Sequence, residues 1–436
     1  MISQNSDFKQ TIVIGGGTAG WLTALSMVKL PKHGTQVWVV ESKNIPNVGA
    51  GEGSTPHIIL LLNYLGIDLN EFFIKTAATK KYGIDFENWS GDREKFKHYF
   101  TGNVGNDYAY HFDSQKIIKF LKDKALESGV NYIQDDYVQS FKEGDNIEKI
   151  ELKENGLMRA DFVFDCSGFH RLIIGKEYKS KWVDCGKYLP IKAAIPFTMQ
   201  RNEKEDRKGV TYTRAVALDH GWVWMIPLQG RWGCGYCHDS DLITEEEAKQ
   251  EVEYYFNKKI FSRFSRPAIK FNTGYYNRLF IGNCMAVGLS GGFFEPLEAT
   301  SIMTTCMQLN FFLRAKGYNI DQKEFNKTMV KVNEQVLAFL YYHYITKRED
   351  TKLWKSFESR PVPKLIKKLV LPNGQFKKIT KGEYKKIIQA NKVYESVFHV
   401  DSWKTFSNNL IERYPSVVHN LYSESFWASL KKKLGF

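Results

Sequence analysis

The segment QTIVIGGGTAGWLTALSMV, Gln10 to Val28, changes periodicity at its centre. Gln10 to Ile14 form an apolar, β-rich run, and Gly15-Gly16-Gly17-Thr18-Ala19-Gly20 follow as a glycine cluster. Trp21, Leu22, Leu25 and Val28 then recur at helical spacing. A second β-rich run, Gln36 to Val40, ends on Glu41, which lies 21 residues beyond Gly20. A lone G-x-G-x-x-G is a weak signal, but strand, glycine turn, helix, strand and acid in this order form a dinucleotide-binding βαβ unit. Glycines let the backbone approach a pyrophosphate at the positive end of a helix, and the carboxylate accepts hydrogen bonds from a ribose. An ordinary tight turn would leave the acid and its spacing unexplained.

At 436 residues the chain has the length of roughly two or three domains, or of one large α/β unit with additions. Its 43% hydrophobic content belongs to a folded globule. No run approaches the roughly 18 to 20 apolar residues that cross a bilayer, and the start MISQNSDFKQ lacks the basic-then-apolar pattern of a secretory signal. A soluble, cytoplasmic protein is expected. The six cysteines, Cys166, Cys185, Cys234, Cys237, Cys284 and Cys306, are scattered and predict reduced, buried thiols. Cys234-Gly-Tyr-Cys237-His238 spells a haem-attachment pattern, yet Trp232, Cys234 and Tyr236 alternate as on a strand, and no second pair completes a zinc site. The formal charge of +13 suits an anionic partner. Lysines nevertheless lie beside acids, as in KEGDNIEKIELKENG, and the one compact basic run, Lys431-Lys432-Lys433, sits at the extreme C-terminus. Neither nucleic acid nor a membrane surface is the expected partner.

Downstream, Asp113 to Gly129 reads as a helix with Ile117, Phe120, Leu121 and Ala125 on one face and Gly129 as its stop. Strands are predicted around Tyr132 to Val138 and Ile147 to Leu152, with Asn155-Gly156 as a hairpin turn and Ala160 to Phe164 as the return strand. The run Arg278 to Gly282 leads into the glycine-rich VGLSGGFFEPLEATSI, and a helix over about Thr300 to Lys316 continues from it. From Asp321 onward the pattern is mostly helical. In GWVWMIPLQG, Gly221 to Gly230, Trp222 and Trp224 share one face of a strand, which by itself describes cross-strand packing closed by Pro227.

The βαβ unit alone does not separate nicotinamide from flavin. The layout does, because a β-rich block interrupts it and a late glycine-rich loop opens a second helix, where a flavoprotein returns to hold the flavin end of FAD. The combination VIGGGTAGW, VGAGEGSTP (Val48 to Pro56), DCSGFHRLIIG (Asp165 to Gly175), WVWMIP and GLSGGFFEPLEATSI (Gly288 to Ile302) resembles the flavin-dependent halogenases related to the tryptophan halogenases. The resemblance runs from Gly15 through HYITKREDTKLW, His343 to Trp354, and thins near the C-terminus. It implies an FAD-dependent monooxygenase-like α/β fold, with a Rossmann-type unit and an inserted β-sheet over residues 1–316 and a mainly helical region over 317–436 that covers the substrate site.

The resemblance further implies FADH₂ supplied by a separate flavin reductase, and O₂ and a halide ion as co-substrates. Hypohalous acid then travels to an electron-rich aromatic substrate such as an indole or phenol. The W-x-W-x-I-P residues Trp222, Trp224, Ile226 and Pro227 would separate substrate from flavin. The lysine of TKKYGIDFENW matches at Lys81, counting back from Trp89, with Lys80 as its neighbour. The acid after Pro-Leu is Glu298, with Glu295 as the competing carboxylate. Thr300 and Ser301 fall at the halide-binding positions, and the relatives' frequent glycine at the second of these leaves halide preference open. Besides Gly15, Gly16, Gly17, Thr18, Ala19, Gly20 and Glu41, the resemblance assigns Ser42, Val48, Glu52, Gly53, Val138, Leu289 and Ile302 to the cofactor. The residues that clamp free tryptophan find no match here, so a more open site is expected.

Overall fold

Five strands lie parallel, and the central ones, Gln10–Ile14 and Phe162–Asp165, bury apolar residues on both faces, a pattern that a sheet covered on both sides accommodates. The sheet runs Phe280–Ile281, Cys284–Ala286, Phe162–Asp165, Gln10–Ile14, Gln36–Glu41 and Asn131–Gln134, with only the first of these antiparallel to its neighbour. Val13, Val39, Phe162 and Phe164 pack on one side against the helices Thr18–Val28, Ser114–Glu127 and Thr300–Arg314. Ile12, Ile14, Val40 and Val163 pack on the other against a three-stranded sheet, Tyr137–Glu143, Asn146–Leu152 and Gly156–Arg159. This computed structural model describes residues 10–30, 35–45, 52–91, 95–100, 108–201, 211–257, 261–264, 267–314, 318, 320–346 and 348–367.

A ten-stranded sheet is inserted between the halves of the nucleotide unit. Its main path runs Phe261–Phe264, Ala193–Gln200, Arg231–His238, Gly221–Leu228, Thr211–Ala217, Thr79–Glu87, Ala109–Phe112 and Glu52–Gly53. The tryptophan strand thus lies one strand away from Thr79–Glu87, through the parallel pairing of Thr211–Ala217 with the latter. The helix Gln322–His343 buries Phe325, Val332, Val336 and Phe339 in the main core. No single described helix is long and apolar enough to cross a membrane, although His57–Tyr64 and Leu69–Lys75 pass together as a pair bent by 115°.

Three strand assignments change. The return strand of the Asn155-Gly156 hairpin is Gly156–Arg159, whereas Phe162–Asp165 joins the parallel sheet, as its four buried side chains require. The Tyr132 to Val138 run breaks at Asp135-Asp136, because the Asp135 carboxylate turns aside to accept the backbone N–H groups of Glu154 and Asn155. The parallel strand ahead of the late loop is Cys284–Ala286, and Phe280–Ile281 within Arg278 to Gly282 is its antiparallel neighbour. Helix ends agree more closely: Asp113 caps Ser114–Glu127 through its side chain, and Gly129 has φ +88°.

Asp165 ends the strand beside Gln10–Ile14 and organises the loop after it. Fully buried, it accepts the Ser167 N–H at 3.1 Å and hydroxyl at 2.5 Å, and the N–H groups of Ile173 and Ile174 at 3.0 and 2.9 Å. Asp165→Ala strands those donors and should cost about 3 to 5 kcal/mol. Urea unfolding measures this, and a loss below about 1 kcal/mol would mean that the loop holds itself.

Candidate active site

The carboxyl ends of the parallel strands open onto one cavity of about 600 Å³, as expected at the switch point of such a sheet. Gly15, Gly16, Gly17, Thr18 and Ala19 line it. Gly15 has φ +118°, and a Cβ there would lie 2.3 Å from the Cys166 carbonyl oxygen; at Gly16 it would lie 2.3 Å from Glu41 Cδ. The turn therefore admits only bare backbone. The helix Thr18–Val28 starts at Gly17 with no side-chain cap and no acid in its first turn, which leaves its N–H groups open to an anion. Glu41 also lines the cavity, held by Lys122 Nζ at 3.1 Å and the Tyr132 hydroxyl at 3.0 Å. Open N–H groups beside a fixed carboxylate fit the diphosphate and ribose of FAD.

Other residues assigned to the cofactor divide. Ser42, Glu52, Gly53, Leu289 and Ile302 line the cavity. Burial pushes the Glu52 carboxyl up to about 7, against a hydrogen bond from Ser114. Gly20 turns inward onto the Gly15 carbonyl and does not line the cavity. Val138 is 50% exposed and also stays out; its neighbour Tyr137 lines the cavity instead. Val48 lies outside the described residues. Sequence reasoning passed over Asp135 and Asp136, whose signal was an acid pair directly after a strand.

Trp222, Trp224 and Ile226 face the same cavity. The two indoles are tilted by 60° with centroids 6.4 Å apart, and Trp224 lies over Gly235, where a Cβ would be 2.0 Å from its ring. Pro227 does not line the cavity; its carbonyl accepts the Thr79 hydroxyl at 2.6 Å and so ties the tryptophan strand to the start of Thr79–Glu87. Cys234 and Cys237 are buried opposite Met225 and Trp222 on the adjoining strand.

Strand alternation separates the two lysines. Lys80 is exposed, with its ammonium 4.8 Å from the Tyr108 ring centroid. Lys81 is 1% exposed and lines the cavity. A Cβ built on Gly53 would lie 3.3 Å from Lys81 Nζ, 3.5 Å from Thr213 Oγ1 and 3.7 Å from the His111 ring, so these groups converge there. Burial pushes Lys81 down to about 8, against the attraction of Glu298. His111 is held well below its ordinary value by burial and by the charges of Lys81 and Arg201. The F-x-N-W residues anchor the far end of this strand: Trp89 Nε1 donates to the Ala215 carbonyl at 2.9 Å and Asn88 Nδ2 to that of Ala217 at 3.1 Å.

Glu298 lines the cavity with φ +65°, and Ala299 follows with φ +56°. Two successive left-handed non-glycine residues cost on the order of 1 to 3 kcal/mol each, strain of the kind kept at functional sites. His98 Nδ1 at 2.8 Å and His343 Nε2 at 3.1 Å both meet Glu298 Oε1, and Oε2 takes no hydrogen bond among the described residues. His343 Nδ1 faces the Phe339 carbonyl at 2.7 Å and is therefore a donor, so one proton is shared between His343 Nε2 and the carboxylate. Burial alone would raise Glu298, but the charge of His98 and the hydrogen bonds from both imidazoles outweigh it and hold the carboxyl well below the usual range. Neither histidine stood out by spacing. Ser301 lines the cavity; Thr300 is buried at the start of its helix, with Oγ1 lacking a partner among the described residues.

The sequence matches the tryptophan halogenase family over residues 10–107 and 102–421. It is 28% identical over 417 residues to the tryptophan 7-halogenase RebH of Lentzea aerocolonigenes, covering 79% of this chain and 78% of the relative. The 7-chloro-L-tryptophan 6-halogenase KtzR of Kutzneria sp. (strain 744) is 27% identical over 430 residues, covering 81% and 82%. The solved structure of the tryptophan 6-halogenase SttH from Streptomyces toxytricini superposes with a TM-score of 0.82 over 98% of this chain and 96% of that one at 23% identity, which shows a shared fold. With its glycine turn, buried lysine and strained glutamate around one cavity, this chain belongs to the tryptophan halogenase family and is a flavin-dependent halogenase, an oxidoreductase that uses FAD and halide.

Proposed function

We propose that this halogenase installs halogen on an electron-rich aromatic substrate by electrophilic substitution, with FADH₂ supplied by a separate reductase. The observation that carries the reading is the placement of Lys81 and Glu298 on one cavity with the glycine turn and both tryptophans. Reduced FAD bound here would activate O₂, and the O₂-derived oxidant would take two electrons from halide to give hypohalous acid. Ser301 and Thr300 open the helix Thr300–Arg314 at the cavity, where N–H groups and helix dipole favour an anion. Trp222 and Trp224 keep the organic substrate away from the oxidant's source.

Lys81 acts as an ammonium that holds the oxygen of hypohalous acid and polarises its halogen toward the ring. Glu298 Oε2 stabilises the cationic ring intermediate and accepts its proton, while His98 and His343 hold Oε1. The ammonium of Lys81 lies 5.2 Å from the Phe100 ring centroid, and the cavity it faces is lined by aromatic side chains, among them Trp222, Trp224 and Phe293. Flat indoles and phenols suit such walls better than a site built to clamp one amino acid.

Lys81→Ala should keep FAD binding and O₂ consumption and lose organohalide by at least about a hundredfold, whereas Lys80→Ala stays within about threefold of native. Glu298→Gln falls between them, because an amide is a poor proton acceptor. Oxygen uptake set against halogenated product decides the matter, and a dead Lys80→Ala beside an active Lys81→Ala would overturn the assignment.

With Lys81 near 8, transfer of halogen should fall as pH rises through about 8, with the same inflection for chloride and bromide. A rate that instead climbs through that range would assign the work to the neutral amine.

Lys81 also costs stability. Its charge is present in both states below pH 8, so the burial penalty is full there; it fades between 8 and 10.5, where the unfolded chain keeps a proton that the folded chain has released. Lys81→Met should stabilise the fold by about 3 kcal/mol at neutral pH and progressively less toward pH 10.5, by thermal or urea unfolding. An unchanged midpoint at pH 7 would mean that the ammonium is better solvated than its burial indicates.

A further inference from the structure

Glu295, three residues before Glu298, has no part in the chemistry proposed above. Its carboxyl is fully buried, and both donors that reach it meet a single oxygen: the Trp222 indole N–H at 3.2 Å and the Tyr344 hydroxyl at 2.6 Å both donate to Oε2. Oε1 is buried and has no hydrogen-bond partner among the described residues. The titratable groups facing it are Tyr344, just beyond the helix Gln322–His343, and Cys237 on the strand beside Trp222; burial holds both neutral. No described cation compensates the carboxyl, and burial pushes it up to about 7. An apolar side chain would fill such a place at lower cost.

The polar group makes sense through its partners. Trp222 touches Trp89 and Trp224 only in tilted contacts, each at 6.4 Å, which fill space without selecting one orientation of the indole. A directed hydrogen bond to its N–H does select one. Tyr344 is held far more rigidly: its ring stacks on Phe357 at 4.4 Å and 6°, and meets Trp89 and Trp354 at 5.6 Å each. From these contacts we infer that Glu295 is a positioning residue for the tryptophan barrier, bridging the Trp222 indole to Tyr344 and so to the end of the helix Gln322–His343. The inference rests on the reading of Trp222 and Trp224 as a barrier between flavin and substrate. It also joins the barrier to the proton acceptor, since His343, adjacent to Tyr344, holds Glu298.

The test uses the full-length enzyme labelled with 5-fluorotryptophan, with the Trp222 ¹⁹F resonance assigned through Trp222→Phe. Alongside it, consumed O₂ is apportioned among organohalide, hydroxylated product and hydrogen peroxide. Glu295→Gln keeps an acceptor for both donors and should hold the resonance in place, with a product partition within about twofold of native. Glu295→Leu should shift or broaden the resonance and raise the non-halogenated share at least about threefold, the effect of losing one hydrogen bond. Tyr344→Phe keeps the stacked ring and should move both readouts in the same direction, which preserves the test if the leucine variant fails to fold. A native resonance and partition in Glu295→Leu, or in Tyr344→Phe where the leucine variant does not fold, overturns the inference. Native products in Trp222→Ala would instead sink the barrier reading, and the ¹⁹F resonance would then judge the positioning of Trp222 by itself.

Discussion

Two buried carboxylates three residues apart are gripped by two consecutive side chains from elsewhere in the chain: His343 meets Glu298 and Tyr344 meets Glu295. Either carboxyl alone in this core would carry a heavy desolvation cost. The two environments push them apart, with Glu298 held well down by two imidazoles and Glu295 raised to about 7 without a cation. The two like groups thus meet different surroundings, one facing the cavity beside two imidazoles and one buried among neutral donors. The left-handed backbone at Glu298 and Ala299 persists because these contacts over-determine it.

The lysine depends on a different support. The strand Thr79–Glu87 is fixed at one end by the Thr79 hydroxyl on the Pro227 carbonyl and at the other by Asn88 and Trp89 on carbonyls of the strand Thr211–Ala217. Arg348 adds to this corner with hydrogen bonds to the carbonyls of Asn88 and Leu218. A slip of one residue would exchange Lys81 for Lys80. The F-x-N-W motif therefore fixes register, and its Phe86 and Trp89 rings also meet His343 and Trp222.

The nucleotide unit supplies the rest of the cavity wall. Gly15 and Gly16 take their places because Cys166 and Glu41 leave no room for a Cβ, and Asp165 stiffens the loop that carries Cys166. Because the larger sheet is inserted between Glu41 and the late glycine loop, the tryptophans of that sheet border the same cavity as the glycine turn.

Local pattern was enough for the glycine turn, for Glu41 at its spacing and for the helix after Asp113, because each follows from residues within one element; the choice of Lys81 over Lys80 came from the resemblance. Motif resemblance added Glu298 and the tryptophan pair. Pattern failed at Ala160 to Phe164, where an apolar run after a hairpin turn looks the same whether it returns to the hairpin or crosses to a parallel sheet. It also gave no hint of His98, His343 or Tyr344 as partners of the two glutamates, which lie 200, 45 and 49 residues away along the chain. Which carboxylate meets imidazoles and which meets only a phenol and an indole was decided only when the end of the helix Gln322–His343 met the EPLE segment, because desolvation and hydrogen bonding depend on what surrounds a group in space.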